Sequence, residues 1–198
     1  MKRALLTFIA VLSLTAVKAE DKKKAPAPKA KENKEIEWIS FAEAEKRMKQ
    51  EPRKVWIDVY TDWCGWCKVL DKKVFTNPDV IDYMNKKFYA IKFNAERQDS
   101  IEFLGKKWGF KPEYKANELA VQLMNGQMAY PTTILMTENF QSPTPVGGYH
   151  PVEEVEQFLK FIGEDTYKTV KWEDYSKNFK NEWHEVPSPM PVIPPHAN

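Results

Sequence analysis

Two cysteines, Cys64 and Cys67, are the residues of this chain whose type and spacing could do chemistry. They stand three positions apart in Trp63-Cys64-Gly65-Trp66-Cys67-Lys68, and the 198-residue sequence contains no others. A thiolate is the nucleophile in disulfide exchange and also a ligand for soft metals. The pair could therefore be a redox dithiol, half of a metal site, or two buried thiols without chemistry.

A metal site is the weaker alternative, because structural zinc takes four ligands. The sequence has no second cysteine pair, and its three histidines, His150, His184 and His196, lack a paired spacing. A purely structural disulfide is also disfavoured, since so short a loop constrains little of the unfolded chain. Inert buried thiols stay open as an alternative, because the two neighbouring tryptophans could be ordinary core residues.

The segments around the cysteines predict how the pair is positioned. Residues 55–60 form a short apolar run typical of a strand covered on both faces, and residues 64–74 predict a helix directly after it. Cys64 falls where this helix begins, and the free N–H groups of a first helical turn stabilise negative charge. The spacing predicts an exposed, activated thiol at Cys64, with Lys68 nearby, and a shielded thiol at Cys67 that can attack a mixed disulfide.

Strands and helices alternate through the rest of the folded part. We predict helices at 40–50, from 77 onward, and at 99–108, 116–124, 152–162 and 172–179, and strands at 88–93, 132–137 and 145–149. This order indicates an α/β sandwich with a mixed central sheet flanked by helices.

The cysteine motif resembles the active site of the thioredoxin superfamily, and the resemblance covers about residues 39–162. Asp58 stands six residues before Cys64, where thioredoxins keep a buried acid. Lys92 resembles the lysine on the next strand that approaches this acid. Pro131 resembles the cis-proline that faces the disulfide, and residues 147–148 resemble the glycine after the last hairpin.

This resemblance implies a thioredoxin-like fold and a thiol–disulfide oxidoreductase that needs no metal and no cofactor beyond its own redox-active disulfide. It implies that Cys64 attacks a substrate disulfide and that Cys67 resolves the mixed disulfide. Asp58 would accept the proton of Cys67, and Lys92 would assist. The residues expected to bind substrate are Trp63, Gly65, Trp66, Tyr130, Pro131 and Thr132.

The sequence departs from the family pattern in two places. Trp66 replaces the usual proline between the cysteines, and 38 residues separate Lys92 from Pro131, more than thioredoxin has there. We predict that the extra piece, residues 109–126, adds a helical insertion before the cis-proline strand. Because no histidine lies between the cysteines, we favour a reductase or exchange role over a strong oxidant. The aromatic residues at 63, 66 and 130 could be core or an apolar rim around Cys64.

The N-terminal end of the chain predicts export. Residues 1–19 have a basic start, an apolar run and the small residues Val17 and Ala19 of a cleavage site, as signal peptides do. We predict a flexible linker at 20–36, the thioredoxin-like domain at 37–182 and a proline-rich tail at 183–198. Removing the signal leaves 27 basic against 28 acidic residues, so the charge gives no evidence for nucleic acid.

The sequence therefore predicts a periplasmic, or otherwise exported, protein with no stable membrane insertion after cleavage. Its predicted partners are protein thiols and disulfides, and a reductase there would need a membrane electron donor, which the sequence does not identify. The rival hypothesis is a client-binding or chaperone module of the same fold, in which the insertion and the aromatic surface hold other proteins and the cysteines are secondary.

Overall fold

The computed structural model describes residues 35–185. The predicted signal peptide, and all but the ends of the predicted linker and tail, lie outside these residues. Residues 35–185 contain eight strands: β1 (Lys54–Tyr60), β2 (Phe88–Asn94), β3 (Ile101–Phe103), β4 (Lys106–Trp108), β5 (Phe110–Lys111), β6 (Ala116–Asn117), β7 (Thr132–Thr137) and β8 (Gln141–Gly147). Six α-helices accompany them: α1 (Phe41–Met48), α2 (Gly65–Lys73), α3 (Pro78–Lys87), α4 (Glu118–Leu123), α5 (Val152–Gly163) and α6 (Trp172–Asn178).

A four-stranded mixed sheet forms the centre of the fold, in the order β2-β1-β7-β8. Strand β1 pairs with β2 in parallel and with β7 antiparallel, and β8 continues as an antiparallel edge strand. Helices cover both faces of this sheet. The predicted α/β thioredoxin-like fold is confirmed, and β8 extends further toward the N-terminus than the predicted strand at 145–149.

The side chains of β1 alternate between two hydrophobic cores, as the pleat of a strand requires. Val55, Ile57 and Val59 belong to the core that includes α1 and the insertion. Trp56 belongs to the opposite core, which includes residues of α2, α3 and α5. Asp58 has the same parity as Trp56, so this carboxylate lies on the face of the sheet that α2 covers.

The segment from residue 99 to 108 corrects one prediction. We expected a helix there, but the structure has the hairpin β3–β4. Ile101 and Phe103 are buried whereas the residue between them is exposed, which is the two-residue period of a strand. Leu104 and Gly105 both have positive φ, as the type I′ hairpin turn requires.

The predicted insertion at 109–126 is only partly helical. It contains the short hairpin β5–β6 followed by α4, whose limits lie inside the helix predicted at 116–124. Asn117 caps α4 by accepting a hydrogen bond from the Leu119 N–H at 2.9 Å. Leu119, Ala120 and Leu123 attach the helix to the core through its buried face.

The packed part of the chain reaches slightly beyond the predicted limits of 37–182. Ile36 and Trp183, one residue outside each limit, are 6% and 9% exposed and belong to the core beneath α2. None of the helices between residues 35 and 185 has the length and apolarity that crossing a bilayer requires.

Candidate functional site

Cys64 and Cys67 form a disulfide at the start of α2. Cys64 is the N-cap of this helix, and its Sγ accepts a hydrogen bond from the Cys67 N–H at 3.0 Å. A turn after β1 places it there, because the Cys64 N–H donates to the Thr61 carbonyl at 3.2 Å. The sulfur that the sequence assigns as nucleophile therefore occupies the position where a helix stabilises negative charge.

The expectation of an exposed Cys64 is not met in this oxidised state. Cys64 and Cys67 are 4% and 3% exposed, so total exposure does not separate the two residues. The surroundings of the two cysteines do distinguish them. Cys64 lines a groove of about 270 Å³ together with Trp63, Gly65, Trp66 and residues 128–130, whereas Cys67 is not among the lining residues. Cys64 is therefore the sulfur that borders the groove.

Two of the three aromatic residues beside the disulfide form an exposed rim. Trp63 and Trp66 are 56% and 43% exposed. The Trp63 ring meets Tyr130 edge to face at 5.8 Å between centroids, and its indole N–H donates to the Glu96 carboxylate at 3.0 Å. The two tryptophans therefore present apolar surface to solvent next to Cys64. Tyr130 is partly buried and also packs against the core that includes α1.

The loop before β7 forms the other side of the groove. The Tyr130–Pro131 peptide bond is cis, as the resemblance implied. The Pro131 carbonyl accepts from the Gly148 N–H at 2.8 Å, and the Thr132 hydroxyl donates to the Ala129 carbonyl at 2.8 Å. Met128, Ala129 and Tyr130 line the groove. Thr132 is buried behind it, where its hydroxyl supports the loop.

A buried carboxylate lies on the sheet beneath α2. Asp58 is 1% exposed, and its neighbour in the β1–β2 register is Lys92. The Lys92 Nζ lies 3.4 Å from Asp58 Oδ2, while Asp58 Oδ1 has no hydrogen-bond partner among the described residues. Burial raises the pKa of Asp58 to about 6, although the positive charge of Lys92 acts in the opposite direction.

Asp71 is a member of this cluster that the sequence analysis missed. Its carboxylate accepts a hydrogen bond from the Lys92 ammonium, so Lys92 is shared between Asp71 and Asp58. The negative charge of Asp71 adds to the rise of the Asp58 pKa. One signal could have revealed it: Asp71 follows Cys67 by four residues on the same helix, so both point to the same side.

No metal ligands accompany the cysteines within residues 35–185, where no group of three or more histidine, cysteine or acidic side chains is arranged to hold a metal ion. His150 instead contacts Glu154 at 2.7 Å, and His184 lies 3.5 Å from Glu153. His196 lies outside the described residues.

Comparisons with known proteins match most of the chain. A family model described as "Thioredox_DsbH: Protein of unknown function, DUF255" matches residues 20–189. The chain is similar to the Caenorhabditis elegans protein named "Uncharacterized protein B0495.5", with 24% identity over 155 residues, which is 78% of this chain and 20% of that protein. The chain thus spans about a fifth of the length of this curated relative.

Solved structures give further similarities. A thioredoxin-fold protein from Helicobacter pylori is 18% identical, with a TM-score of 0.47 and coverage of 75% of this chain and 89% of that one. A structure described as "DsbH Oxidoreductase" is 13% identical, with a TM-score of 0.45 and coverage of 76% and 95%. A putative disulphide-isomerase from Bacteroides thetaiotaomicron is 27% identical, with a TM-score of 0.45 and coverage of 64% and 89%.

Proposed function

The chain belongs to the thioredoxin-like DsbH family (DUF255), and from this premise we propose that it is a thiol–disulfide oxidoreductase acting on protein disulfides outside the cytoplasm. The observation that carries the proposal is the Cys64–Cys67 disulfide at the N-terminus of α2, whose Cys64 lines an open groove. The buried Asp58 carboxylate lies on the sheet face beneath the same helix.

The first step uses Cys64 of the reduced protein. Its thiolate attacks one sulfur of the substrate disulfide, and a new S–S bond joins Cys64 to the substrate. The other substrate sulfur leaves as a thiolate and takes a proton from water. The helix start supports this role, because the Cys67 N–H that points at Cys64 Sγ stabilises the attacking thiolate.

The second step uses Cys67. Its thiol gives its proton to Asp58, and the resulting thiolate attacks Cys64 Sγ and breaks the mixed disulfide. The second substrate sulfur leaves as a thiolate, so two electrons have passed to the substrate and the Cys64–Cys67 disulfide is restored. A carboxyl group with a pKa of about 6 is suited to accept a proton near neutral pH.

The residues between the cysteines support one proposed direction of exchange. Gly65 and Trp66 bring no charge that would stabilise a thiolate strongly, and this supports a reductase or exchange role over a strong oxidant. A reductase must be reduced again after each turnover. We propose a dithiol donor in the membrane as the source of these two electrons.

A polypeptide is the substrate that suits the groove. Trp63 and Trp66 border it on one side and the loop at 128–130 on the other, and the two exposed tryptophan rings supply apolar surface in a lining that is also partly polar. An extended chain carrying a disulfide would bury this surface on binding, which a small polar disulfide cannot do to the same extent.

The second candidate function, client binding without redox turnover, is favoured by the same exposed tryptophans. The two functions differ in what the sulfurs contribute. A client-binding module should suppress aggregation of an unfolded protein equally well when both cysteines are serine. An oxidoreductase should lose all reduction of insulin disulfides in that variant.

A trapping experiment tests the proposed roles of the two sulfurs. We expect Cys67→Ser to accumulate mixed disulfides with client proteins through Cys64, because the resolving thiol is missing. Cys64→Ser should accumulate few, since Cys67 does not line the groove. Non-reducing gels of both variants make the comparison, with the double serine variant as the control. Equal trapping by the two single variants would contradict the assignment.

The proposed location outside the cytoplasm has its own test. The motivating pattern is the basic, apolar and small-residue sequence of residues 1–19. We expect the natural protein to begin near Glu20, and N-terminal sequencing of protein isolated from its own cells measures this. Soluble protein that still begins at Met1 would refute the localisation and leave the redox proposal standing.

A further inference from the structure

Tyr149 connects the rim of the groove to a distant part of the chain. It follows β8, and its ring packs against that of Trp66 with 5.4 Å between the centroids. Its hydroxyl donates a hydrogen bond to Glu185 Oε1 at 2.7 Å. The exposed tryptophan between the two cysteines therefore rests on a tyrosine whose orientation depends on an acid 36 residues further along the chain.

Glu185 also contacts the helix that carries the disulfide. Its second oxygen, Oε2, accepts a hydrogen bond from the Lys73 Nζ at 3.1 Å. Lys73 lies in the last turn of α2, and its side chain is only 12% exposed. The Glu185 carboxylate thus joins the loop after β8 to α2. The pKa of Glu185 is lowered by the hydrogen bonds from Tyr149 and Lys73, so the group is charged at neutral pH.

The segment 181–185, which we term the C-terminal strap, holds Glu185 in this position. The buried Glu156 carboxylate on α5 accepts hydrogen bonds from the backbone N–H groups of Glu182 at 2.9 Å and Trp183 at 3.0 Å. Asn77 then donates through Nδ2 to the His184 carbonyl at 3.0 Å. Because these anchors are buried or half-buried, the position of Glu185 is set by packing and not by a surface ion pair alone.

We propose that Glu185 is a positioning residue for disulfide exchange: by holding Tyr149 against Trp66 it fixes one wall of the groove and so favours polypeptide disulfides over small ones. This inference rests on the proposed oxidoreductase function. A tryptophan that is 43% exposed would otherwise sample several rotamers, and a substrate would have to order it on binding. A wall that is already ordered removes that cost from polypeptide binding.

Steady-state kinetics test the proposal. The variants are Glu185→Ala, Tyr149→Phe and the double variant, each assayed with insulin and with a small aromatic disulfide. We expect KM for insulin to rise by about two- to tenfold more than KM for the small disulfide. This is the range of affinity that an aromatic pair contributes. Because both residues act through one contact, the double variant should resemble each single variant.

The matched control is Glu182→Gln, a strap carboxylate that pairs with Lys160 at 2.6 Å and does not contact Tyr149. We expect its kinetics with both substrates to match those of the unaltered protein. An equal loss for insulin and the small disulfide in Glu185→Ala would overturn the proposal, since it would show damage to the disulfide or the fold. Wild-type kinetics in that variant would also overturn it.

A second readout does not depend on activity. The indole N–H resonance of Trp66, identified by its loss in Trp66→Phe, reports the ring's surroundings in nitrogen-labelled protein. We expect it to shift or broaden in Glu185→Ala and Tyr149→Phe and to keep its position in Glu182→Gln. An unmoved resonance in the first two variants overturns the positioning role. Absence of disulfide reduction by the unaltered protein would instead refute the proposed function. The Trp66 resonance would still show whether Glu185 holds Tyr149 against Trp66.

Discussion

Asp58 is a residue whose burial sets its chemistry. It shares β1 with Trp56, and α2 covers the face on which both lie, so the carboxylate has lost nearly all its water. One oxygen is near the Lys92 ammonium and the other has no described partner. Desolvation of the charged form outweighs the attraction of Lys92, and the pKa rises from 3.8 to about 6.

We expect Asp58→Asn to slow the resolution of mixed disulfides by Cys67 while leaving the first attack by Cys64 largely intact. The reason is that asparagine cannot accept the Cys67 proton. Insulin turnover at pH 7 should fall by about a hundredfold or more, the scale of a lost general base. The deficit should shrink at higher pH, where the thiol ionises without an acceptor. Asp62→Asn, an exposed acid in the same segment, is the control.

The same substitution should increase stability above neutral pH. Because the folded state binds the Asp58 proton more tightly than the unfolded chain, the group's contribution to stability is complete below about pH 4 and is lost between about pH 4 and 6. The difference between 3.8 and about 6 corresponds to about 3 kcal/mol. Thermal melts of oxidised Asp58→Asn should therefore show a higher midpoint at pH 7.5 and little gain at pH 4. A large loss at both pH values would show that Asp58 is a structural partner of Lys92.

Much of the site was predictable at the level of single residues, because its chemistry is local in sequence. The cysteine spacing and the strand-to-helix boundary placed Cys64 at the N-cap, and an acid inside an apolar run indicated a buried Asp58. Asp71 could have been found from the helical period, because it follows Cys67 by four residues. Tyr149 and Glu185 were not, since no local pattern reveals which side chains meet across the sheet.

The insertion shows where sequence periodicity fails at the level of elements. Ile101, Leu104 and Trp108 are spaced as on one face of a helix, yet the helix predicted at 99–108 is a hairpin. The structure instead leaves Leu104 57% exposed with a positive φ, a conformation that a leucine rarely adopts. The glycine after it was the signal for a tight turn. By contrast, β1 and β2 were predictable, because buried runs of β-branched and aromatic residues favour strands.

Asn117 holds the helix of this insertion in place. Its side chain caps α4, donates to the Trp108 carbonyl at 3.2 Å and is fully buried. We expect Asn117→Ala to lower the free energy of unfolding by about 2 kcal/mol, because it removes a cap and leaves a buried carbonyl unpaired. Urea unfolding measures this, with the exposed Gln122→Ala on α4 as the control. Hydrogen exchange should accelerate at 101–123, and a change spread evenly over the sheet would contradict the local role.

At the scale of the whole molecule, the C-terminal strap joins parts of the chain that are far apart in sequence. Lys73 and Glu185 are separated by 112 positions, and Asn77 and His184 by 107. The sequence places the strap at the start of a proline-rich, polar region, so composition alone put the domain limit at residue 182. The packing of Trp183 shows that the fold continues past this limit, because its ring lies against Tyr83 at 5.5 Å.

Two truncations measure how far the domain extends. A variant ending at Glu182 loses the buried Trp183 ring, one hydrogen bond to the Glu156 carboxylate and the His184 carbonyl that Asn77 requires. A variant ending at Glu185 keeps all three. We expect the shorter variant to unfold at a lower urea concentration, with a loss of about 3 kcal/mol or more, as for removal of a buried tryptophan side chain. The longer variant should unfold like the unaltered protein. Equal midpoints for the two truncations would show that the strap adds nothing to the core and that the limit at 182 is sufficient.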